Sequence, residues 1–258
     1  MTALPGSVGA DSNRFDNVLK GGSDLEGRPE YPRFLWCGDA CLVTEFGDTI
    51  DPLINSMVKG LELKIRGLVL PWLVETVPTY RSLAVYVDPW DTRREEVELT
   101  VISLAREAEA KSMPSAAIAE IPVCYGGNFG PDLERVSIHT GLGPDVIIRL
   151  HSSKLYRIYM MGFTPGFPYL GGMDPRLETP RLEDPRTLIP AGSVGIAGKQ
   201  TGIYPIPSPG GWNIIGRTPL VLFDPARPSP FLLEAGMEIR FVPVPEERFE
   251  EILSGKGA

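Results

Sequence analysis

The chain has 258 residues, 43% of them hydrophobic and 22% charged, a composition that suits one or two globular domains with real cores. Its net charge is −8 with no basic stripe, which argues against binding a nucleic-acid backbone or an anionic membrane surface. No run approaches the roughly 20 apolar residues that a membrane span requires.

Residues 1–29 are rich in Gly, Ser and Asp and lack the basic start and apolar block of a secretory signal. They read as a mobile tail that reaches residue 32. From Arg33 the run FLWCGDACLVTEFG is β-rich and broken at Gly38-Asp39. Asp51-Pro52 supplies an N-cap with proline at the first helical position. Ile54, Met57, Val58, Leu61 and Ile65 follow at helical spacing, and Gly67 stops the helix. LVLPWLVETV and SLAVYV predict two strands around a turn at Pro78. Thr92-x-x-Glu95 is a capping box for a second helix, with Val97, Val101, Leu104 and Ala108 on its buried stripe. IPVCY (121–125) is a strand. The order to this point, β-α-β-β-α-β, fits a ferredoxin-like α+β domain. The link KSMPSA (111–116) places the domain boundary, giving 33–116 and 117–258.

Two short helices are predicted at 131–139 and 144–151, the first ended by Gly141 and the second opened by Pro144. The spacing is that of a helix-turn-helix. The second helix, however, offers only Arg149 beside Asp145 on an acidic chain, which argues against reading DNA. From Tyr156 short strands alternate with Gly/Pro turns (YRIYMMGF, TPLVLF, MEIRFVPV), the pattern of an antiparallel barrel or sandwich. EERFEEIL (246–253) is a closing helix.

Within this half, residues 187–216 hold one charge, Lys199, in a run crowded with Gly and Pro. Such a segment either folds its backbone close around a small ligand or makes tight barrel corners. The three cysteines Cys37, Cys41 and Cys124 cannot all pair. With only two histidines they leave too few ligands for a zinc site, and they read as free thiols in a reducing cytoplasm.

The motifs GFTPGFPYLGG (162–172), TPR (179–181), IPAGSVGIAGKQTGIYPIPSPGGWNIIGRTP (189–219) and LFDP (222–225) strongly resemble the allophanate hydrolase subunit 1 family. That family is also called the KipI family, or the B component of the prokaryotic ATP-dependent 5-oxoprolinase. GDACLVTEFGDTIDP (38–52), VPTYRSLAVYVDP (77–89) and CYGGNFGPDLERVSIHTGL (124–142) resemble its earlier segments, so the likeness covers roughly 33–245. The resemblance implies an N-terminal ferredoxin-like domain and a C-terminal, mainly-β cyclophilin-like barrel. It implies two partners: an allophanate hydrolase subunit 2-like protein, which is the C component of 5-oxoprolinase, and the A component. It also implies a likeness to the carboxyltransferase domain of urea carboxylase. The implied activity is opening of 5-oxo-L-proline to L-glutamate with ATP hydrolysis, in the cytoplasm, with ATP and Mg bound at a site shared with the partners and no metal site in this chain. The alternatives are a KipI-type inhibitor of a sporulation histidine kinase and one chain of an allophanate- or urea-type carboxyltransferase.

A lactam site needs amide partners and few charges. Gln200 supplies a donor and an acceptor, and backbone N–H groups near Gly192, Gly195 and Gly198 suit a developing oxyanion. Arg181 or Arg217 suits the carboxylate, and Phe163, Phe167, Tyr169 or Trp212 the ring. Ser193, Thr201 and Tyr204 complete the candidate binding set. His139 and His151 are candidate acid–base groups beside Gln200. Each has a structural alternative: a hairpin cap for Gln200, ion pairs with Asp184 or Asp224 for the arginines, core packing for the aromatics, and helix-end roles for the histidines. No GxxxxGK[ST] phosphate loop is present.

Overall fold

Strands β1 (Arg33–Trp36) and β2 (Cys41–Glu45) form a hairpin whose turn places Gly38 at a φ of +71°, backbone that glycine adopts without steric cost. Helix α1 (Pro52–Arg66) begins as the sequence predicts. The Asp51 carboxylate accepts the N–H groups of Leu53 at 2.7 Å and Ile54 at 3.3 Å, and Pro52 occupies the first turn. Strands β3 (Leu73–Pro78) and β4 (Ser82–Val87) and helix α2 (Arg94–Arg106) follow. The computed structural model describes residues 31–90, 93–108 and 118–255, and all but Tyr31 of them belong to one unit, Pro32–Ala258. The expected tail, Thr92 of the expected capping box and the link at 111–116 lie outside the described residues. Arg93 precedes α2 and makes no side-chain cap bond.

The first four strands make one antiparallel sheet in the order β1-β2-β4-β3. Leu42, Leu61, Leu83, Val85, Val97 and Val101 bury between this sheet and the two helices. Here the observed topology departs from the expected one. IPVCY lies in β5 (Ile118–Tyr125), which belongs to a second sheet, and β1 takes the fourth place in the first. The reason is side-chain burial. Ile121 and Val123 of β5 sit in the other core, where β13 (Glu238–Pro243) pairs parallel to β5 over its whole length.

The second sheet has seven strands. Besides β5 and β13 they are β6 (Leu155–Met161), β7 (Pro168–Gly171), β9 (Ser193–Ala197), β10 (Gln200–Ile203) and β12 (Asn213–Arg217), in the order β10-β9-β12-β5-β13-β6-β7. Its two end strands nearly meet. A Cβ on Gly202 of β10 would lie 3.1 Å from the ring of Phe167, next to β7. The sheet is thus a nearly closed barrel, filled by Ile121, Tyr156, Ile158, Val194, Ile196, Ile203 and Phe241. Strands β8 (Arg186–Ile189) and β11 (Ser208–Gly210) form a separate ladder. Helices α3 (Leu133–Thr140) and α4 (Pro144–Ser152) fall where expected, with Gly141 left-handed at the end of α3, and α5 (Glu246–Leu253) follows β13.

Gly192, expected at a ligand, is a packing glycine. Its φ is +81°, its N–H donates to Tyr204 O at 2.7 Å, and a Cβ there would lie 2.3 Å from Thr218 O. Gly192→Ala is expected to destabilise the fold by about 2–3 kcal/mol, because the side chain meets backbone and the conformation is strained for it. Urea unfolding measures this, and a loss below about 0.5 kcal/mol would contradict it.

Candidate functional site on the outer face of the barrel

Successive residues of a strand face opposite sides of a sheet. In β10, Thr201 and Ile203 turn into the barrel, whereas Gln200 and Gly202 turn out. In β9, Val194 and Ile196 turn in, and Ala197 turns out. The outward residues carry a second apolar cluster of Phe167, Ile189, Ala197, Tyr204, Trp212 and Ile214, with Tyr169 at its edge. Phe167 is its hub, in edge-to-face contact with Tyr169, Tyr204 and Trp212 at centroid distances of 5.3, 5.6 and 5.6 Å.

A cleft of about 360 Å³ opens over this cluster, lined by Phe163, Phe167, Tyr169, Arg181, Gln200, Tyr204 and Trp212, with Pro185, Pro209, Gly210 and Gly211 at its walls. Phe163 has a φ of +65°, the one non-glycine residue with positive φ among the described residues, and it is 65% exposed. A bulky side chain held in the left-handed region is uncommon and carries a conformational cost.

Gln200 joins the two sheets. Its Nε2 donates to the phenol oxygen of Tyr80 at 2.9 Å, and Tyr80 stands on the turn between β3 and β4. Tyr80 packs against Tyr159 and Tyr169 at 5.2 and 6.1 Å. Burial pushes its hydroxyl up to about 12, partly opposed by the Gln200 bond, so it stays protonated. The Asn55 amide holds the turn by donating to Thr79 O, Tyr80 O and Tyr159 O at 3.2, 3.3 and 3.4 Å. The Gln200 amide oxygen makes no hydrogen bond among the described residues and is left to accept. Burial also raises Tyr204 to about 12, leaving a protonated phenol in the cleft. Arg181 reaches the same cleft, and among the described residues it pairs with no carboxylate, Asp184 included.

The other candidates lie elsewhere. Thr201 and His151 are sealed inside the barrel. Thr201 Oγ1 donates to Gly195 O at 3.0 Å, so it accepts from His151 Nε2 at 2.8 Å, and His151 Nδ1 then accepts from the Tyr125 hydroxyl at 2.8 Å. Burial lowers His151 to about 3, which keeps the ring neutral. It cannot exchange protons with a ligand on the outer face. His139 is exposed on α3 in a separate, open cleft with Arg135, Ile138 and Thr179. Ser193 and Arg217 line a third cleft, where Arg217 Nε donates to Ala191 O at 2.8 Å rather than pairing with Asp224. The glycine N–H groups expected to hold an oxyanion are occupied. That of Gly192 binds Tyr204 O, that of Gly198 binds Thr179 O at 2.7 Å, and Gly195 lies in the ladder between β10 and β12.

Sequence reasoning missed Tyr80, although a large aromatic at a predicted hairpin tip, VPTYRSL, was a signal. It grouped Gln200 with Thr201, which strand periodicity separates.

The residues of the outer cleft do not fit a nucleotide triphosphate or its magnesium. They offer one cation, Arg181, no carboxylate and no helix N-terminus. Among the described residues no group of three or more His, Cys, Asp or Glu is placed to hold a metal, and no helix is long and apolar enough to cross a membrane.

A family model described as carboxyltransferase domain, subdomain C and D, matches residues 32–233. The B component of 5-oxoprolinase from Bacillus subtilis (strain 168) is 42% identical over 226 residues, covering 82% of this chain and 92% of that protein. The crystal structure of TTHA0988 is 36% identical with a TM-score of 0.70; the match covers 79% of this chain but only 39% of that one. The Kluyveromyces lactis urea carboxylase, at 21% identity and a TM-score of 0.65, shares the fold over 87% of this chain and 23% of its own.

Proposed function

The chain belongs to the family of carboxyltransferase domains, subdomains C and D, and on that premise we propose that it is the B component of an ATP-dependent 5-oxoprolinase whose outer cleft binds 5-oxo-L-proline. The observation that carries this reading is Gln200. Its amide faces outward with the oxygen unpartnered among the described residues, beside a lone arginine and an aromatic floor.

The lactam N–H donates to Gln200 Oε1. The lactam carbonyl accepts from the second Nε2 hydrogen or from the protonated Tyr204 hydroxyl. Arg181 takes the carboxylate as a two-pronged donor, and the ring rests on Phe167 and Trp212. The low polarity of the aromatic walls strengthens each of these bonds. Amide resonance deactivates the lactam carbon, and ATP supplies the activation that lets water open the ring to L-glutamate. ATP and magnesium are placed in this reading on the partner proteins, the A and C components, since this cleft lacks the groups to hold them. The first sheet with its helices is proposed as a ferredoxin-like domain over 33–116, and the barrel as a cyclophilin-like domain over 117–258, in a cytoplasmic protein.

The test is glutamate formation from 5-oxoproline and ATP by the chain assembled with the A and C components. In that assay Arg181→Met is expected to raise KM for 5-oxoproline about tenfold or more, with a smaller change in kcat. An assembled complex that makes no glutamate would refute the reading, and an unchanged KM would remove Arg181 from it.

A further inference from the structure

The third cleft, of about 120 Å³, is built by residues that the lactam reading does not use. Arg186 of β8 and Arg217 of β12 both line it, together with Ser193 of β9. The only carboxylate bonded to either arginine among the described residues is Asp132, whose Oδ1 accepts from Arg186 Nη2 at 2.7 Å. Its Oδ2 is already committed to the N–H of Ile214 at 2.7 Å. The cleft therefore gathers two guanidinium groups, of which only that of Arg186 is bonded to a carboxylate among the described residues.

The hydrogen bonding is incomplete in the same sense. Arg186 Nη1 is buried and has no partner among the described residues. Arg217 uses Nε on Ala191 O, and its two terminal nitrogens make no hydrogen bond or ion pair among the described residues. Ser193 is 2% exposed, and its hydroxyl has no partner among them either. Glu246 and Glu247, on the nearby helix α5, are not within ion-pair distance of either arginine. A buried cationic N–H without an acceptor is costly, so the arrangement calls for an anion. Of the remaining walls, Asn128 is polar and uncharged, and Phe129, Pro131, Ile189, Pro190 and Ile214 are apolar, a low-polarity lining that would strengthen its attraction.

We propose that this cleft is a binding site for a small oxyanion, a phosphate or a carboxylate, held by Arg186, Arg217 and the Ser193 hydroxyl. Planar guanidinium groups match the oxygen spacing of either anion, and the serine donates to a third oxygen. Ile189 and Ile214 wall this cleft and belong to the same apolar cluster as Tyr204 and Trp212 of the outer cleft, so the two sites share a wall without sharing a cavity. Anion binding here does not depend on which amide, if any, the outer cleft binds.

The full chain is titrated with inorganic phosphate, and separately with acetate, at ionic strength held constant with chloride, while its unfolding temperature is followed. At least one of the two anions is expected to raise that temperature along a saturable curve. Arg217→Gln is expected to weaken that anion's binding about tenfold or more. Phosphate also stabilises proteins nonspecifically by exclusion, an effect that neither saturates nor depends on Arg217. Should Arg217→Gln fail to fold, Ser193→Ala carries the comparison, with a severalfold loss expected. A response to phosphate alone identifies a tetrahedral anion, and a response to acetate alone a carboxylate. No shift beyond the chloride control, or full-strength binding by both variants, would overturn the proposal.

Discussion

Alanine in place of Gln200 is expected to lower glutamate formation by the assembled complex by about 10²–10³-fold, the usual cost of removing a group that bonds the reacting amide. The substitution removes both the donor and the acceptor that face the lactam. It also frees the Tyr80 hydroxyl, so the turn between β3 and β4 loses its bond to the barrel. Stability should fall by only about 1 kcal/mol, since Gln200 is half-buried and its side chain makes a single hydrogen bond among the described residues. Lost turnover and lost fold are therefore separable, by comparing urea unfolding with initial rates. Tyr80→Phe separates the two roles of the glutamine, because it removes the inter-sheet bond and keeps the amide. Turnover within about threefold of the unsubstituted complex for Gln200→Ala would remove the outer cleft from the chemistry.

Acid should destabilise the barrel through His151. The ring is held neutral in the folded chain down to about pH 3 and takes up its proton at the ordinary value of 6.5 when unfolded. Between these values the unfolded state binds the extra proton, so stability falls as the pH falls. The slope approaches about 1.4 kcal/mol per pH unit, which amounts to about 2 kcal/mol by pH 5. Carboxylates with ordinary values titrate mostly in the lower part of that window, so the histidine dominates its upper part. The physical cause is desolvation. His151 is fully buried between Tyr156 and Phe241, at ring distances of 5.6 and 4.4 Å, and among the described residues no ion pair supports its charge. His151→Gln cannot titrate and should show a flatter profile over the same range, from a lower stability near neutral pH because Tyr125 and Thr201 lose a well-placed partner. Equal slopes for the two proteins between about pH 6.5 and pH 5 would show that His151 is not the group responsible.

Much of the local structure was legible from residue types. Asp51-Pro52, Gly141 and Pro144 act where a chain-order reading puts them, because capping and proline geometry depend on near neighbours alone. The cleft was half legible. Phe163, Phe167, Tyr169, Arg181, Gln200, Tyr204 and Trp212 come together, and the neutral Gly/Pro run does bring backbone close to side chains. Ser193, Thr201 and Arg217 diverge from them, although Ser193 and Thr201 sit in the same run and Arg217 directly follows it. Thr201 is the instructive case, since one step along a strand reverses the face and turns a neighbour of Gln200 into the partner of a buried histidine.

The long motifs carried the resemblance to the family, and residue types and their spacing were enough for the caps and turns and for which aromatic and amide side chains a small ligand could meet. Long-range packing settled the rest: β5 leaves the first sheet for the barrel, the cleft lies on the barrel's outer face, and Tyr80 reaches Gln200 across 120 positions of chain. Those outcomes depend on which strands pair and which apolar faces find each other. Burial of surface between distant segments sets them, and no local pattern of residues encodes it.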